Sequence, residues 1–283
     1  MLLSKGSETL GNTHTPTDFS DIKYQANEDH IAWLTLNRPA QMNAYSSLMT
    51  REIVAALDAY LQDDTQRVLV LTGEGRGFCA GGDISGSDPD HKALMASQLS
   101  HGREMRDGMH RVIQALHALD KPVIAMINGA AVAGGLTLAL ACDFRIASNT
   151  AKLGDTSGRF GLLPDEGGAW YFPRAMGMEN ALKMTLFAET YSGDDAVALG
   201  LASQSVPHEQ LLSVTQEFAQ RLAAQSPLAV RLAKKIMVRG QTQSLDQSLG
   251  DAALSVMVAN PSEDVKEGIR AFFGKRAPNF TGK

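Results

Sequence analysis

Two glycine-rich turns and one acidic turn hold the residues of this chain best suited to chemistry. The first reads Phe78-Cys-Ala-Gly-Gly82-Asp83 and the second Asn128-Gly-Ala-Ala-Val-Ala-Gly134-Gly135. The acidic one reads Gly161-Leu-Leu-Pro-Asp165-Glu166-Gly-Gly168. Glycine lets a ligand approach the main chain, and free N–H groups at such turns attract negative charge. Two donors together could hold an enolate or a tetrahedral oxyanion, and losing one donor of such a pair typically costs about 10²–10³ in rate. Taken singly, each turn reads equally well as a tight packing turn.

An acid beside such a pair could move a proton. Asp165 in an apolar pocket would have the raised pKa that this role needs. Without those surroundings it reads as a helix N-cap before Ala-Trp-Tyr-Phe. Glu166 is the alternative base, but is expected to be an exposed acid of the first helical turn. Asp155 is a further candidate. Ser157 as a nucleophile would need a partner base, and no histidine is near in sequence, so it reads as a polar turn residue. His91, His101, His110 and His117 read as surface residues.

The elements that position these residues follow from apolar spacing. Strands are expected at 31–36, 68–72, 121–127 and 143–147. Helices are expected where Ile53, Leu57 and Leu61 recur, at 103–119 and at 134–141. Asp83 to Ser100 reads as a loop of the kind that forms lids. Short apolar strands alternating with helices imply an α/β fold with mostly parallel pairing. Beyond residue 206 only helices are expected, at 208–225, 227–239, 245–259 and 261–273, with Pro207, Pro227 and Pro261 near their starts. The expected organisation is therefore a disordered polar tail over 1–17, a core over 18–206 and a helical region over 207–283.

Composition sets outer limits. The chain has 283 residues, 44% of them hydrophobic, which is ample for a large core. A net charge of −5 argues against nucleic acid as the main partner. No run approaches a membrane span, and no secretory leader is apparent, so the expected compartment is the cytoplasm. Cys79 and Cys142 offer neither a disulfide framework nor metal spacing, and both read as buried, inert thiols.

Four segments, in order, resemble the crotonase (enoyl-CoA hydratase/isomerase) superfamily. They are Asn37-Arg-Pro39 through Asn43-Ala44, Gly77 to Asp83, Asn128-Gly to Cys142-Asp143, and Phe160-Gly to Gly168; the tail from Phe273 to Lys283 is also similar. The resemblance covers roughly residues 20–283 and implies a crotonase-like spiral of ββα units with a C-terminal helical trimerisation region. It implies an acyl-CoA substrate, no cofactor beyond the coenzyme A of that thioester, and a homotrimer or dimer of trimers. The thioester oxygen would lie between the N–H groups of Gly82 and Gly134. Coenzyme A would run along Asn43-Ala44 and from Ala80 through Asp83 and Ile84 to Ser85. Arg38, and Lys275 or Arg276 of a neighbouring tail, would contact its phosphates or else be solvated surface charges. The acyl pocket would be shaped by 84–120 and by residues such as Trp170 and Phe172.

In hydratases of that superfamily two glutamates face the substrate, and the matching positions here are Thr137 and Ser157. Threonine can hydrogen-bond but cannot act as a base near neutral pH. Asp165, eight residues beyond Ser157, looks like the acid used by isomerases of the family. The leading expectation is an enoyl-CoA isomerase with Asp165 as proton shuttle. The alternatives are a hydratase or lyase on an unusual acyl-CoA, with Ser157 or Thr137 positioning water, and a family member that binds acyl-CoA without turning it over.

Overall fold

The computed structural model describes residues 19–85 and 98–283. The tail read over 1–17, His91 and most of the loop read after Asp83 lie outside the described residues. In chain order the strands are β1 (Ile22–Gln25), β2 (Ile31–Leu36), β3 (Val68–Gly73), β4 (Gly77–Cys79), β5 (Val123–Ile127), β6 (Ala130–Val132), β7 (Phe144–Ser148), β8 (Lys152–Gly154), β9 (Thr190–Ser192) and β10 (Gln204–Val206). They form two sheets, ordered β1-β2-β3-β5-β7-β10 and β4-β6-β8-β9. In the larger sheet only β1 runs antiparallel. All residues of β3 and β5 are buried, as parallel strands covered on both faces must be.

Helix α1 (Ser47–Gln62) starts where the Ser46 hydroxyl accepts the Met49 N–H at 3.0 Å. It buries Met49, Ile53, Leu57 and Tyr60. Leu61, expected in that stripe, is exposed, because Tyr60 at three-residue spacing from Leu57 takes the inward place. The helix expected over 103–119 is two helices, α2 (Gln98–Asp107) and α3 (Met109–Ala118), parted at Gly108. A Cβ at Gly108 would stand 2.8 Å from the Glu104 carbonyl. Next come α4 (Gly134–Leu140), α5 (Gly168–Met176), α6 (Met178–Leu186) and α7 (Gly193–Ala198).

After β10 the chain is helical: α8 (Leu211–Ala223), α9 (Pro227–Gly240), α10 (Leu245–Ala259) and α11 (Glu263–Gly274). Helix α8 covers the larger sheet, with Phe218 edge-on to Phe144 at 5.0 Å. Lys234 in α9 pairs with Asp143 at 2.6 Å and Arg231 with Asp120 at 3.1 Å. Gln247 and Ser244 form a capping box that opens α10. The tail folds back on its own chain. Asp264 accepts the Thr281 N–H at 2.8 Å, and Arg67 donates to the Phe280 carbonyl at 3.0 Å.

Candidate active site

The smaller sheet brings the chemistry-bearing turns together. Strands β4, β6 and β8 are parallel neighbours, so the turns that leave them lie along one rim. From β4 the chain enters Ala80-Gly81-Gly82, from β6 Ala133-Gly134, and from β8 Asp155 to Ser157. The first turn pairs with Tyr45, whose N–H donates to the Gly81 carbonyl at 2.9 Å and whose carbonyl accepts the Asp83 N–H at 3.1 Å. That ladder does not use the Gly82 N–H. Gly134 is the first residue of α4, so its N–H has no intrahelical acceptor. The turn before it is strained, with Ala133 at φ 50°.

Glycine is required at 134 by its neighbours. A Cβ there would meet Glu166 Oε1 at 2.5 Å and Tyr45 Cε1 at 2.8 Å. A Cβ at Gly82 would lie 3.3 Å from the Tyr45 hydroxyl. One acid, one phenol and the two candidate donor glycines therefore converge.

That acid is Glu166, and here the structure corrects the sequence reading. Glu166, expected at the surface, is only 6% exposed, whereas Asp165 is exposed. Asp165 is not the N-cap either: α5 starts at Gly168, capped by Gly167 at φ 113° with no side-chain bond. The turn at Gly167 sends Glu166 inward and leaves Asp165 outside, its carbonyl bonded to His110 Nε2 at 2.8 Å. Burial raises the Glu166 carboxyl to about 7; the Tyr45 hydroxyl, donating to Oε1 at 2.7 Å, pulls it down, and Asp165 beside it pushes it up. Tyr45 itself is held well above its usual range, first by burial and then by Glu166, so it remains a donor.

Thr137 is fully buried in α4, with its methyl 3.5 Å from where a Cβ on Gly167 would stand. Its hydroxyl and Glu166 Oε2 have no hydrogen-bond partner among the described residues. Asp155 and Ser157 are also buried. Asp155 Oδ1 accepts the Ser157 N–H at 3.0 Å, which makes this a side-chain-closed turn on the same rim.

The residues expected along coenzyme A are next to one another, but several are committed internally. Arg38 is 14% exposed at its side chain and donates to the Ala44 carbonyl at 2.6 Å and to Asp83 Oδ2 at 2.8 Å, so it ties two turns together and is not a free phosphate contact. Burial raises the Asp83 carboxyl, but bonds from Ser85 and Arg38 outweigh it and hold the group near 2. Asn43 is fully buried, with its amide on the Glu74 and Gly77 carbonyls. Ala44 is buried, Ala80 half-buried and Ile84 exposed. Arg276 pairs with Glu267 of its own chain and remains half exposed.

Of the pocket residues expected from sequence, Phe172 is buried in the core and its ring fills the space beside Gly168. Trp170 faces His117 and the Arg174 guanidinium. His101 and His117 are exposed, and His110 is half-buried. Cys79 and Cys142 are buried and free, and burial pushes both thiols up to about 12. Among the described residues no cluster of three or more His, Cys, Asp or Glu could hold a metal ion. Tyr45 is the site residue that sequence reasoning missed. Its one signal is its place directly after Asn43-Ala44, the segment expected along coenzyme A.

Known proteins resemble this arrangement over nearly the whole chain. The family model described as enoyl-CoA hydratase/isomerase matches residues 26–283. The 1,2-epoxyphenylacetyl-CoA isomerase of Escherichia coli is 36% identical, over 90% of this chain and 97% of that one. The (E)-benzylidenesuccinyl-CoA hydratase of Thauera aromatica is also 36% identical, over 90% of this chain and 96% of its own length. Among solved structures, an enoyl-CoA hydratase from Bacillus anthracis superposes with a TM-score of 0.86 at 30% identity, covering 93% of this chain and 100% of that one.

Proposed function

The chain belongs to the enoyl-CoA hydratase/isomerase family, and on that premise we propose that it moves a carbon–carbon double bond within an acyl-CoA, with Glu166 as the proton carrier. The observation that carries this reading is the buried Glu166 carboxyl, raised by burial to about 7 and set against Gly134. A base with a pKa near the working pH can both take and return a proton. The thioester oxygen accepts hydrogen bonds from the Gly82 and Gly134 N–H groups. Glu166 removes a proton from the α-carbon of a β,γ-unsaturated thioester, and the electron pair is delocalised into a dienolate held by those two donors. The same carboxyl then delivers the proton to the γ-carbon, which leaves the conjugated α,β-isomer. Atoms balance within the substrate, so no further cofactor is required.

Two features disfavour ordinary hydration, which needs one group to take a proton from water and another to protonate carbon. Thr137 and Ser157 stand where the resembled hydratases carry their acids. The second reading is hydration with a water held between the Thr137 hydroxyl and Glu166 Oε2, both buried and without partners among the described residues. The isomerase named above supports the first reading and the Thauera hydratase the second. A panel of enoyl-CoA thioesters followed by ultraviolet absorbance and mass spectrometry separates them. Isomerisation keeps the mass, hydration adds one water, and a protein that only binds changes nothing.

The same reading includes assembly as a trimer or a pair of trimers. Leu249, Leu254 and Met257 of α10 and Phe272 and Phe273 of α11 are exposed, and apolar surface of that extent favours burial against another copy. No helix among the described residues is long and apolar enough to cross a membrane.

A further inference from the structure

One tyrosine touches both glycine turns and the buried acid of this site, although no catalytic motif marks it. The main chain of Tyr45 is locked to the first glycine turn through Gly81 and Asp83. Its ring reaches over both donor glycines, within 3.4 Å of where a Cβ on Gly82 would stand and 2.8 Å of where one on Gly134 would stand. Its hydroxyl donates to Glu166 Oε1 at 2.7 Å, across 121 residues of sequence. The other oxygen, Oε2, is buried and meets no hydrogen-bond donor among the described residues.

Resting on the role given to Glu166 above, we propose that Tyr45 is a positioning residue whose hydroxyl engages Glu166 Oε1 and so leaves Oε2 as the oxygen that exchanges a proton with the acyl chain. A carboxylate free to rotate would offer either oxygen at many angles. A fixed donor on one oxygen removes that freedom, and such pre-orientation is a large part of enzymatic rate. The anchoring suits the task, because Tyr45 is held by the strand-like segment that also sets Gly82. Acid and oxyanion donor therefore share one mechanical reference. The titratable groups that face Glu166 and Tyr45 are Asp165 and Cys79, with His110 bonded to the Asp165 main chain. Of these side chains, Tyr45 and Asp165 both hydrogen-bond to the Glu166 carboxyl: the Tyr45 hydroxyl donates to Oε1 and favours the ionised form, whereas the bond with Asp165 favours the protonated form. Because burial and Glu166 hold the phenol far above its usual range, it stays protonated and orients without giving up its proton. Its bond also favours the ionised carboxylate against burial and Asp165.

Tyr45→Phe removes the hydroxyl and keeps the ring. Carbon-13 NMR of glutamate-labelled protein follows the Glu166 carboxyl, assigned by its loss in Glu166→Gln. In Tyr45→Phe its titration should move up by about one pH unit or more, since a bond to a charged group is lost. Solvent-deuterium exchange into β,γ-hexenoyl-CoA should fall by about tenfold or more in the same variant. Should Tyr45→Phe fold poorly, a ring-fluorinated tyrosine at 45, a stronger donor, should move the titration down instead. An unmoved titration in either variant, or undiminished exchange in a folded Tyr45→Phe, overturns the role of Tyr45. The role of Glu166 is judged separately: if Glu166→Gln keeps full exchange, the proposed function fails whatever Tyr45 does to the titration.

Discussion

Replacing Glu166 by glutamine should disable the protein and, above neutral pH, make it more stable. In the unfolded chain this carboxyl ionises near 4.5, and in the folded protein burial holds its proton until about 7. Below the lower value both states are neutral and no penalty exists. Between the two values the unfolded chain has lost its proton and the native state has not, so stability falls as pH rises. Above about 7 the penalty is complete and amounts to about 3 kcal/mol, from about 1.4 kcal/mol per pH unit. Glutamine is neutral throughout, has nearly the same shape, and its amide oxygen can still accept from Tyr45. The variant should therefore unfold about 6–12 °C higher at about pH 8 and within about 2 °C of the wild type at about pH 4.5, at roughly 2–4 °C per kcal/mol for a protein of this size. Calorimetric melting of both proteins at the two pH values measures this. A destabilised variant, or the same gain at both pH values, would refute a buried carboxylate under desolvation strain.

Other consequences follow from the same geometry. Gly134→Ala places a methyl 2.5 Å from Glu166 Oε1; turnover of the active thioester should fall by at least about 10² as donor and acid are pushed apart, which steady-state kinetics would show. Asp165→Asn removes the charge beside Glu166 but no buried group, so turnover should change by less than about tenfold and the acid limb of the pH–rate profile should move down. Hydration of crotonyl-CoA should be at least about 10³-fold slower than in an ordinary hydratase, because Thr137 and Ser157 supply neither acid nor base; loss of enoyl absorbance measures it. Light scattering at micromolar concentration should give a mass of three or six chains, and a monomer would contradict the assembly proposed for α10 and α11.

The longer elements were legible because their patterns are long enough to have a period. The run Ile31–Leu36 is the strand expected, and α9 and α10 start where Pro227 and Leu245 place them. The sheet that carries the site was not legible. Strands β4, β6 and β8 are three residues each, too short for any alternation, and they cohere by pairing within one small sheet. Which of two adjacent acids turns inward depends on Gly167 and its left-handed backbone, and residue type alone does not give the sense of that turn. Arg38 looked free because Asp83, which holds it, lies far along the sequence. Tyr45 escaped notice for the same reason, since its partner lies 121 residues away.

The most direct test of the central claim is deuterium incorporation from D₂O into β,γ-hexenoyl-CoA, read by mass spectrometry for wild type, Glu166→Gln and Asp165→Asn side by side. The account requires deuterium at the acyl carbons with no added water in the wild type. It also requires exchange to fall by about 10²–10⁴ in Glu166→Gln and to persist in Asp165→Asn. A product heavier by one water, or exchange that survives the loss of Glu166 and vanishes with Asp165, would contradict it.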